Sequence, residues 1–515
     1  MYFSILLGTE IGIRKLGLRG FEMIGKYVLS IDQGTTGTTT LLLDQRLNIV
    51  GKGYEEFKQH FPKPGWVEHD LNDIWKSTTT TIQHALQTSQ ISGNQIAAIG
   101  ITNQRETTCL WSKKTGAPVT KAIVWQDRRT ADFCEELKQK HLSRVIKEKT
   151  GLVLDPYFSG TKLHWLLNGP GDFFSRVDRE RLAFGTIDSF LVYKLSGGLV
   201  HVTDTSNASR TLLMDLGSTS WDGELLEIFG VPPSILPQIR STSEVYGVTK
   251  GVPGLPDGIP ISGIAGDQQA ALFGQLCFGT GEAKCTYGTG AFILMNTGRE
   301  IVQSKKGLLT TVAWTRGGET TYALEGSSFI AGAAVQWLRD GLGIIKSSSE
   351  IEALAISVPD SGGVVFIPAL TGLGAPRWNS NARGLISGLT RGTTRAHLAR
   401  ATLEGIAFMV YELIQAMEDD TNRKMEILKV DGGAASNNFL LQFQSDLNEI
   451  TVVRPKILES TAIGAALFAG LAVGFWSDEE EIKKVWQEDR RFVPQMSQSE
   501  RERHIYQWTD AISKL

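Results

Sequence analysis

The chain has 515 residues but only four cysteines, Cys109, Cys134, Cys277 and Cys285. No two of them form a C-x-x-C pair, and their spacing fits neither a zinc site nor a disulfide framework. Reduced thiols in the cytosol are therefore expected, and a cytoplasmic location with them. No uncharged run is long enough to cross a bilayer, so no membrane insertion is expected. Neither sign of charge prevails: 52 Lys and Arg face 55 Asp and Glu, a formal net charge of -3. Without a domain-wide basic surface, nucleic acid is not an expected partner. Two phosphate signatures are also missing. There is no G-x-x-x-x-G-K-[ST], which excludes a P-loop enzyme by that test, and no complete G-x-G-x-x-G after a strand, which argues against a Rossmann oxidoreductase.

The remaining composition is that of a soluble globular protein, 41% hydrophobic and 21% charged. A chain this long divides into at least two cores. Its first segment, "MYFSILLGTEIGIRKLGLRGFEMIGKY", has a short apolar stretch interrupted by Glu10. The basic residues follow the apolar part, the wrong order for a signal peptide. Residues 1–24 are expected to be a poorly ordered extension, or the product of an upstream start where Met23 is the true one.

From Lys26 the sequence alternates short β-rich runs with tight turns: "KYVLSID", "TTTLLLD", "NIVGKGYEEF". A helix is expected from Asp70, a good N-cap, through "LNDIWKSTTTTIQHALQ". Strand patterns follow at "IAAIGIT", "TTCLWS" and "AIVW", and helical ones over 127–140 and 161–167. Near residue 284 the grammar restarts with "KCTYGTGAFILMNTG", again an apolar run, a Gly-Thr-Gly turn and an apolar run. "GLLTTVAW", "TYALEGSS" and "GGVVFIPAL" read as strands, 329–338 and 395–416 as helices, and "EILKVDGGAASNNFLLQFQSDL" as strand, glycine turn, helix. "TAIGAALFAGLAVGFW" reads as a buried small-residue helix. The whole looks like two copies of one plan. The expectation is two α/β domains, 25–275 and 276–515, with a cleft between them.

Three glycine turns stand out: 34–37, 288–290 and 431–433. Backbone amides in such turns can face anionic oxygens, glycine allows close approach, and threonine hydroxyls add donors. Each alone is more readily a plain hairpin; the three together, two of them with an acidic residue, point to nucleotide binding. Two carboxylates lie near them. Asp32 sits in a Gly- and Thr-rich turn. Asp267, in "ISGIAGDQQAALFG", follows an apolar strand and opens a helix, where an N-cap is the alternative reading. Phosphoryl transfer needs a base near the attacking hydroxyl and acidic groups or phosphates to hold Mg2+.

At these residues the chain resembles the FGGY carbohydrate kinases, and most closely the members that act on glycerol. The matching stretches include "IDQGTT", "PGWVEHD", "AIGITNQRETT", "AIVWQDRRT", "TGLVLDPYFSGTK", "HVTDTSNASRT", "GIAGDQQAALFGQLC", "TYGTGAF", "YALEGS", "PALTGLGAP", "ARGLISGLTRGT" and "VDGGAASNNFLLQFQSD". They span residues 27 to about 476. The resemblance implies an actin-like, duplicated RNase H-like fold, with ATP in the interdomain cleft. It implies transfer of the γ-phosphoryl group to glycerol, giving sn-glycerol 3-phosphate, the first step of glycerol utilisation.

It also implies roles for residues. Arg105, Glu106, Tyr157, Asp267 and Gln268 would hold the substrate hydroxyls, and Trp125 and Phe292 would pack against the carbon skeleton. Such a division suits a small polyol, with polar groups on one side and aromatic faces on the other. Burying Arg105 beside Glu106 would give each a partner. Asp267 resembles the general base. Thr35, Thr36, Gly288 and Thr289 would line the phosphates. Gly332, Gln336, Gly433 and Asn437 would border the nucleotide. Asp32, with Asp267, would organise Mg2+ through water. A homodimer or homotetramer is implied.

Several positions depart from the family pattern. Thr39 stands where an arginine commonly meets the nucleotide phosphates, so weaker nucleotide binding or slower transfer is expected. Gly258 replaces the arginine of a fructose 1,6-bisphosphate loop. The segment "FVPQMSQSERER" departs from the one that docks a phosphotransferase-system component in enteric members, although Glu500 is kept, and "STSEVYG" lacks the histidine modified in some Gram-positive members. Control by any of these is not expected. Two rival readings are a kinase for another small polyol or ketose, and a weakly catalytic ATP-binding regulatory protein.

Overall fold

A computed structural model describes residues 25–169, 181–379 and 381–515. The expected N-terminal extension, residues 1–24, lies outside the described residues. The first two apolar runs form an antiparallel hairpin, Tyr27–Gln33 (β1) and Gly37–Leu43 (β2), and Ile49–Glu56 (β3) pairs with β2. Asp70 caps the helix Leu71–Ser89 (α1), its side chain accepting from the Asn72 amide. The four threonines of "STTTT" do not stop this helix. Thr78 and Thr79 each donate to a carbonyl one turn back, so their hydroxyls find partners within the helix.

Ile96–Asn103 (β4) returns parallel to β1. After the helix Ser159–Asn168 (α2) and several short elements, Ser243–Val248 (β5) and Pro260–Gly266 (β6) complete a sheet of order β5-β6-β4-β1-β2-β3. The expected strands at "TTCLWS" and "AIVW" are short, Cys109–Ser112 and Ala122–Ile123, and belong to small side sheets. The expected helix over 127–140 covers only Ala131–Gln139. Asp127 is instead used in the preceding turn, where it accepts from the Val67 amide and from Arg129.

Asp267–Gly274 (α3) leads to the second half. Its strands are Ala283–Tyr287 (β7), Ala291–Gly298 (β8), Leu309–Arg316 (β9), Glu319–Ser328 (β10), Ile427–Asp431 (β11), Thr451–Pro455 (β12) and Glu488–Phe492 (β13). They form one sheet of order β9-β10-β8-β7-β11-β12-β13. β7 pairs antiparallel with β8 and parallel with β11, just as β1 does with β2 and β4. β12 then runs parallel to β11 and antiparallel to β13, as β6 does with β4 and β5. The second half repeats the first with one extra edge strand, β9. Its helices include Gly332–Asp340 (α4), Arg395–Thr421 (α5), Asn438–Asn448 (α6) and Ser460–Val473 (α7).

Helix α7 joins the halves. It is apolar all round, as a fully buried helix must be, and it packs against α3 and the first sheet. Two glycines permit this approach. A Cβ on Gly464 would lie 1.8 Å from the Ala270 carbonyl oxygen of α3, and one on Gly100 of β4 would lie 2.1 Å from that of Ala465. Among the described residues, no helix is long and apolar enough to cross a membrane. All four cysteines are free and buried.

Candidate active site

The parallel strands β1, β4 and β6 end together. Asp32 is opposite Thr102, and Thr102 is opposite Ala265. Asp32 therefore lies within β1 rather than in the turn expected from the sequence, because the strand pairing runs on to Gln33. Its neighbour on β2 is Thr39, on the same face of the sheet. Asp267 begins α3, directly beyond β6. It is not the helix N-cap, since Gly266 takes that position. The Asp267 Oδ1 accepts from the Gln268 amide at 2.7 Å and meets Arg105 Nε at 3.0 Å. Burial, and then the charge of Asp267, push the Asp32 carboxyl up to about 7. Two carboxylates thus share the end of the sheet, an arrangement that favours a proton or a cation between them.

Arg105 and Glu106 follow β4 in a tight turn. The Thr107 amide donates to the Arg105 carbonyl, and Glu106 takes a φ of +60°. That conformation costs a non-glycine residue about 1 kcal/mol, and such strain concentrates at functional sites. Both side chains are buried, but they do not serve as each other's main partner. Their closest approach is 3.9 Å. Glu106 instead accepts from Arg210 Nε at 2.7 Å. Arg105 donates through both Nη atoms to Glu325 of β10, at 2.5 and 3.0 Å, and Arg210 donates to the same Glu325 at 3.0 Å. Two guanidiniums and two carboxylates form a closed, charge-balanced ring. Burial disfavours the charge on Glu325, yet the two arginines hold it below the ordinary carboxylate range. Burial pushes Glu106 up despite the same two arginines.

Beside the ring stands an aromatic trio. Trp125 makes edge-to-face contacts with Tyr157 (5.6 Å) and with Phe292 of β8 (6.4 Å). The Trp125 Nε1 donates to Thr35 Oγ1 at 2.9 Å, tying the apolar wall to the first glycine turn. Gln268 turns its Oε1 to the ammonium of Lys284 on β7, which also donates to Thr286 Oγ1 at 2.9 Å. Arg105, Glu106, Trp125, Tyr157, Asp267, Phe292, Thr35 and Asp32 are thus joined by direct contacts or shared fields, and Gln268 follows Asp267 on α3.

Of the expected nucleotide residues, Thr35 and Thr36 lie in the hairpin turn of the first sheet, and Gly288, Thr289, Gly332, Gln336, Gly433 and Asn437 belong to the second half. The turns 34–37 and 288–290 are closed alike, Gly34 N to Gly37 O and Gly288 N to Gly290 O, both at 2.9 Å. The amides of Ala331 and Gly332 donate to the carbonyls of Thr289 and Gly288 at 2.8 and 3.0 Å. Residues 329–331 stay outside the helix, which starts at Gly332 and not at residue 329 as expected. Gln336 is exposed one helical turn beyond Gly332. A Cβ on Gly432 would meet the Tyr287 carbonyl oxygen at 2.6 Å, whereas one on Gly433 would meet nothing within 4 Å. Gly433 thus offers open backbone next to the 288–290 turn. Asn437 caps α6 through Leu440 N. Thr36 is exposed and Thr35 half-buried.

Among the described residues, no cluster of three or more His, Cys, Asp or Glu could hold a metal by itself. Asp32 and Asp267 offer two carboxylates, which suits Mg2+: it commonly binds through one or two carboxylates plus substrate phosphates and water. Arg210, Lys284 and Glu325 were not singled out by the sequence. A clue was present: in "TYALEGSS" a glutamate sits inside an otherwise apolar, small-residue strand, and a charge so buried needs a partner.

The fold and the site define a two-domain kinase of the actin-like ATPase type. Residues 27–274 match the N-terminal domain, and residues 283–473 the C-terminal domain, of the FGGY family of carbohydrate kinases. The chain belongs to that family. It is 57% identical to a glycerol kinase of Myxococcus xanthus over 95% of this chain and 99% of that protein. It is 54% identical to a glycerol kinase of Deinococcus radiodurans, over 95% and 97%. Among solved structures it resembles Plasmodium falciparum glycerol kinase with ADP, at a TM-score of 0.88 and 38% identity, covering 95% of this chain and 98% of that one. A xylulose kinase of Lactobacillus acidophilus shares the fold at a TM-score of 0.83 and 24% identity, covering 95% and 97%.

Proposed function

We propose that this chain phosphorylates glycerol with ATP, and that Asp267 is the general base. The observation that carries the assignment is the position of Asp267: it heads α3 at the strand ends, oriented by Arg105 at 3.0 Å, with Asp32 as its acidic neighbour. The nucleotide occupies the glycine turns 34–37, 288–290 and 432–433. Thr35, Thr36, Gly288 and Thr289 face the phosphates, and Gly332, Gln336, Gly433 and Asn437 border the rest of the nucleotide. Glycerol lies between Trp125 and Phe292, with its hydroxyls toward Arg105, Glu106, Tyr157, Asp267 and Gln268.

A terminal hydroxyl oxygen attacks the γ-phosphorus, the new O–P bond forms as the bond to the β-phosphate oxygen breaks, and ADP leaves. The hydroxyl proton passes to the Asp267 carboxylate. Arg105 Nε holds that carboxylate in one orientation. Asp32 and Asp267 would hold Mg2+, through water, which when bound neutralises charge on the phosphates. Apposition of the two halves excludes water, which otherwise competes for the phosphoryl group.

The same reading places the enzyme in the cytoplasm, in keeping with four buried thiols. Burial pushes Cys277 and Cys285 up to about 12, which makes them unreactive. A homodimer or homotetramer is the proposed assembly, and sedimentation of the full chain tests it. The functional test is ADP formation across a panel of glycerol, small polyols and ketoses. Glycerol is expected to dominate, and Asp267→Asn to lower kcat by roughly 1,000-fold. A pentulose that outperforms glycerol would transfer the assignment to a different substrate.

A further inference from the structure

The substrate-facing residues sit almost wholly in the first half of the chain, yet two of them are gripped from the second. Glu325 projects from β10 and takes both Nη atoms of Arg105, leaving only Nε to face Asp267. Lys284 projects from β7 and takes the Oε1 of Gln268, so the Gln268 amide nitrogen is the end left for a ligand oxygen. Both ions are completely buried, and both come from the sheet that carries the second glycine turn. Arg210 extends the grip: it bonds Glu106 and Glu325 together, and its Nη1 is buried without a protein partner.

Buried ions of this kind are rarely a net source of stability, because desolvation offsets their attraction. What they provide is fixed geometry. A guanidinium held at both Nη atoms has its plane fixed, and the direction of its Nε–H is fixed with it. A glutamine amide whose oxygen is held by an ammonium cannot flip.

We infer that Glu325 and Lys284 are positioning residues for the polyol site: the second half of the chain, besides taking the nucleotide, sets the donors that meet the substrate. This rests on the kinase reading above. It makes the polyol site incomplete unless both halves are apposed, so recognition of the acceptor depends on the same apposition that excludes water. Neither residue touches the reacting atoms; each acts through a residue that does.

The test separates substrate from nucleotide kinetics in the full chain. Glu325→Gln keeps the volume and removes the charge. It is expected to lower kcat/KM for glycerol by about 100-fold, as a misplaced binding group does, while KM for ATP stays within about twofold. Lys284→Met is expected to act the same way through Gln268 and is read independently if Glu325→Gln does not accumulate as folded protein. If KM for ATP rises as much as KM for glycerol, the ions only brace the fold and the inference is wrong. It is equally wrong if neither constant moves. Wild-type protein is assayed alongside. Wild type without glycerol-dependent turnover overturns the kinase reading itself, whereas an active wild type with unaffected variants overturns this inference alone.

Discussion

The two glycine-threonine hairpins have the same backbone plan and opposite chemistry. In the first, the acid is on the hairpin strand and the threonine on its parallel neighbour, Asp32 opposite Thr102. In the second the pair is exchanged, Thr286 opposite Asp431. The surroundings differ accordingly. Asp32 faces another carboxylate, Asp267, and its pKa rises to about 7. Asp431 accepts from Gln275 at 3.2 Å and lies in the field of the Lys284 ammonium. One duplicated frame thus builds an acid pair at one strand end and a single buried carboxylate, set in the field of an ammonium, at the other. What distinguishes the two halves is which strand carries the carboxylate and what charge stands opposite it.

Exchanging each acid for its amide probes that difference most strongly. Asp32→Asn is expected to reduce kcat by at least about 100-fold through loss of charge at the phosphate end. It should also melt higher than wild type, by on the order of 1 kcal/mol, because a buried repulsion is relieved. Asp431→Asn should melt lower, leaving Lys284 less well balanced, with a smaller loss of kcat. Calorimetry and turnover of both proteins read the opposite signs; equal effects would erase the distinction.

Next in size is the helix that holds the halves together. Gly464→Ala places a methyl group against the Ala270 carbonyl and is expected to cost about 1–3 kcal/mol, read as a lower melting temperature.

A comparison of the cleft with a distant acid gives a pH effect. Glu404 on α5 is buried, and burial pushes it up to about 7 although Arg400 at 2.9 Å opposes the shift. The protonated form is favoured in the folded state. Its contribution to stability is therefore full below the unfolded value near 4.5 and is lost as pH rises through about 7. Melting measured from pH 5 to 8 should fall across that window by up to about 3 kcal/mol from this group, and Glu404→Gln should flatten the fall. Asp188, raised to about 7 in the same way, keeps part of the slope in the variant.

The smallest effect is expected at Thr39. An arginine there would sit beside Asp32 on the same face of the sheet. Thr39→Arg should lower KM for ATP several-fold, since a bidentate donor joins the phosphate end. Unchanged ATP kinetics would show that no charge is missing.

Much of this architecture is legible in the sequence, because strand-turn-strand repeats and a small-residue apolar helix are local patterns. The restart near residue 284 and the cap at Asp70 are of that kind. Element ends were less legible. The sequence alone puts Asp32 in a turn because glycine and threonine follow it, but pairing with Thr39 and Thr102 extends the strand past it. The helix near Asp127 starts late because that carboxylate is engaged by Val67 and Arg129, a contact no local pattern encodes. The ion ring is non-local for the same reason. Arg105 and Glu325 are 220 positions apart, so the pairing expected from adjacency, Arg105 with Glu106, gives way to partners supplied by the fold.

The most direct test of the central claim is product identity. Wild-type protein, ATP, Mg2+ and carbon-13-labelled glycerol are followed by phosphorus and carbon NMR. The account predicts one new phosphomonoester, glycerol esterified at a terminal carbon, formed in equal amount with ADP and about 1,000-fold more slowly in Asp267→Asn. ADP accumulating with inorganic phosphate and no glycerol ester would contradict it.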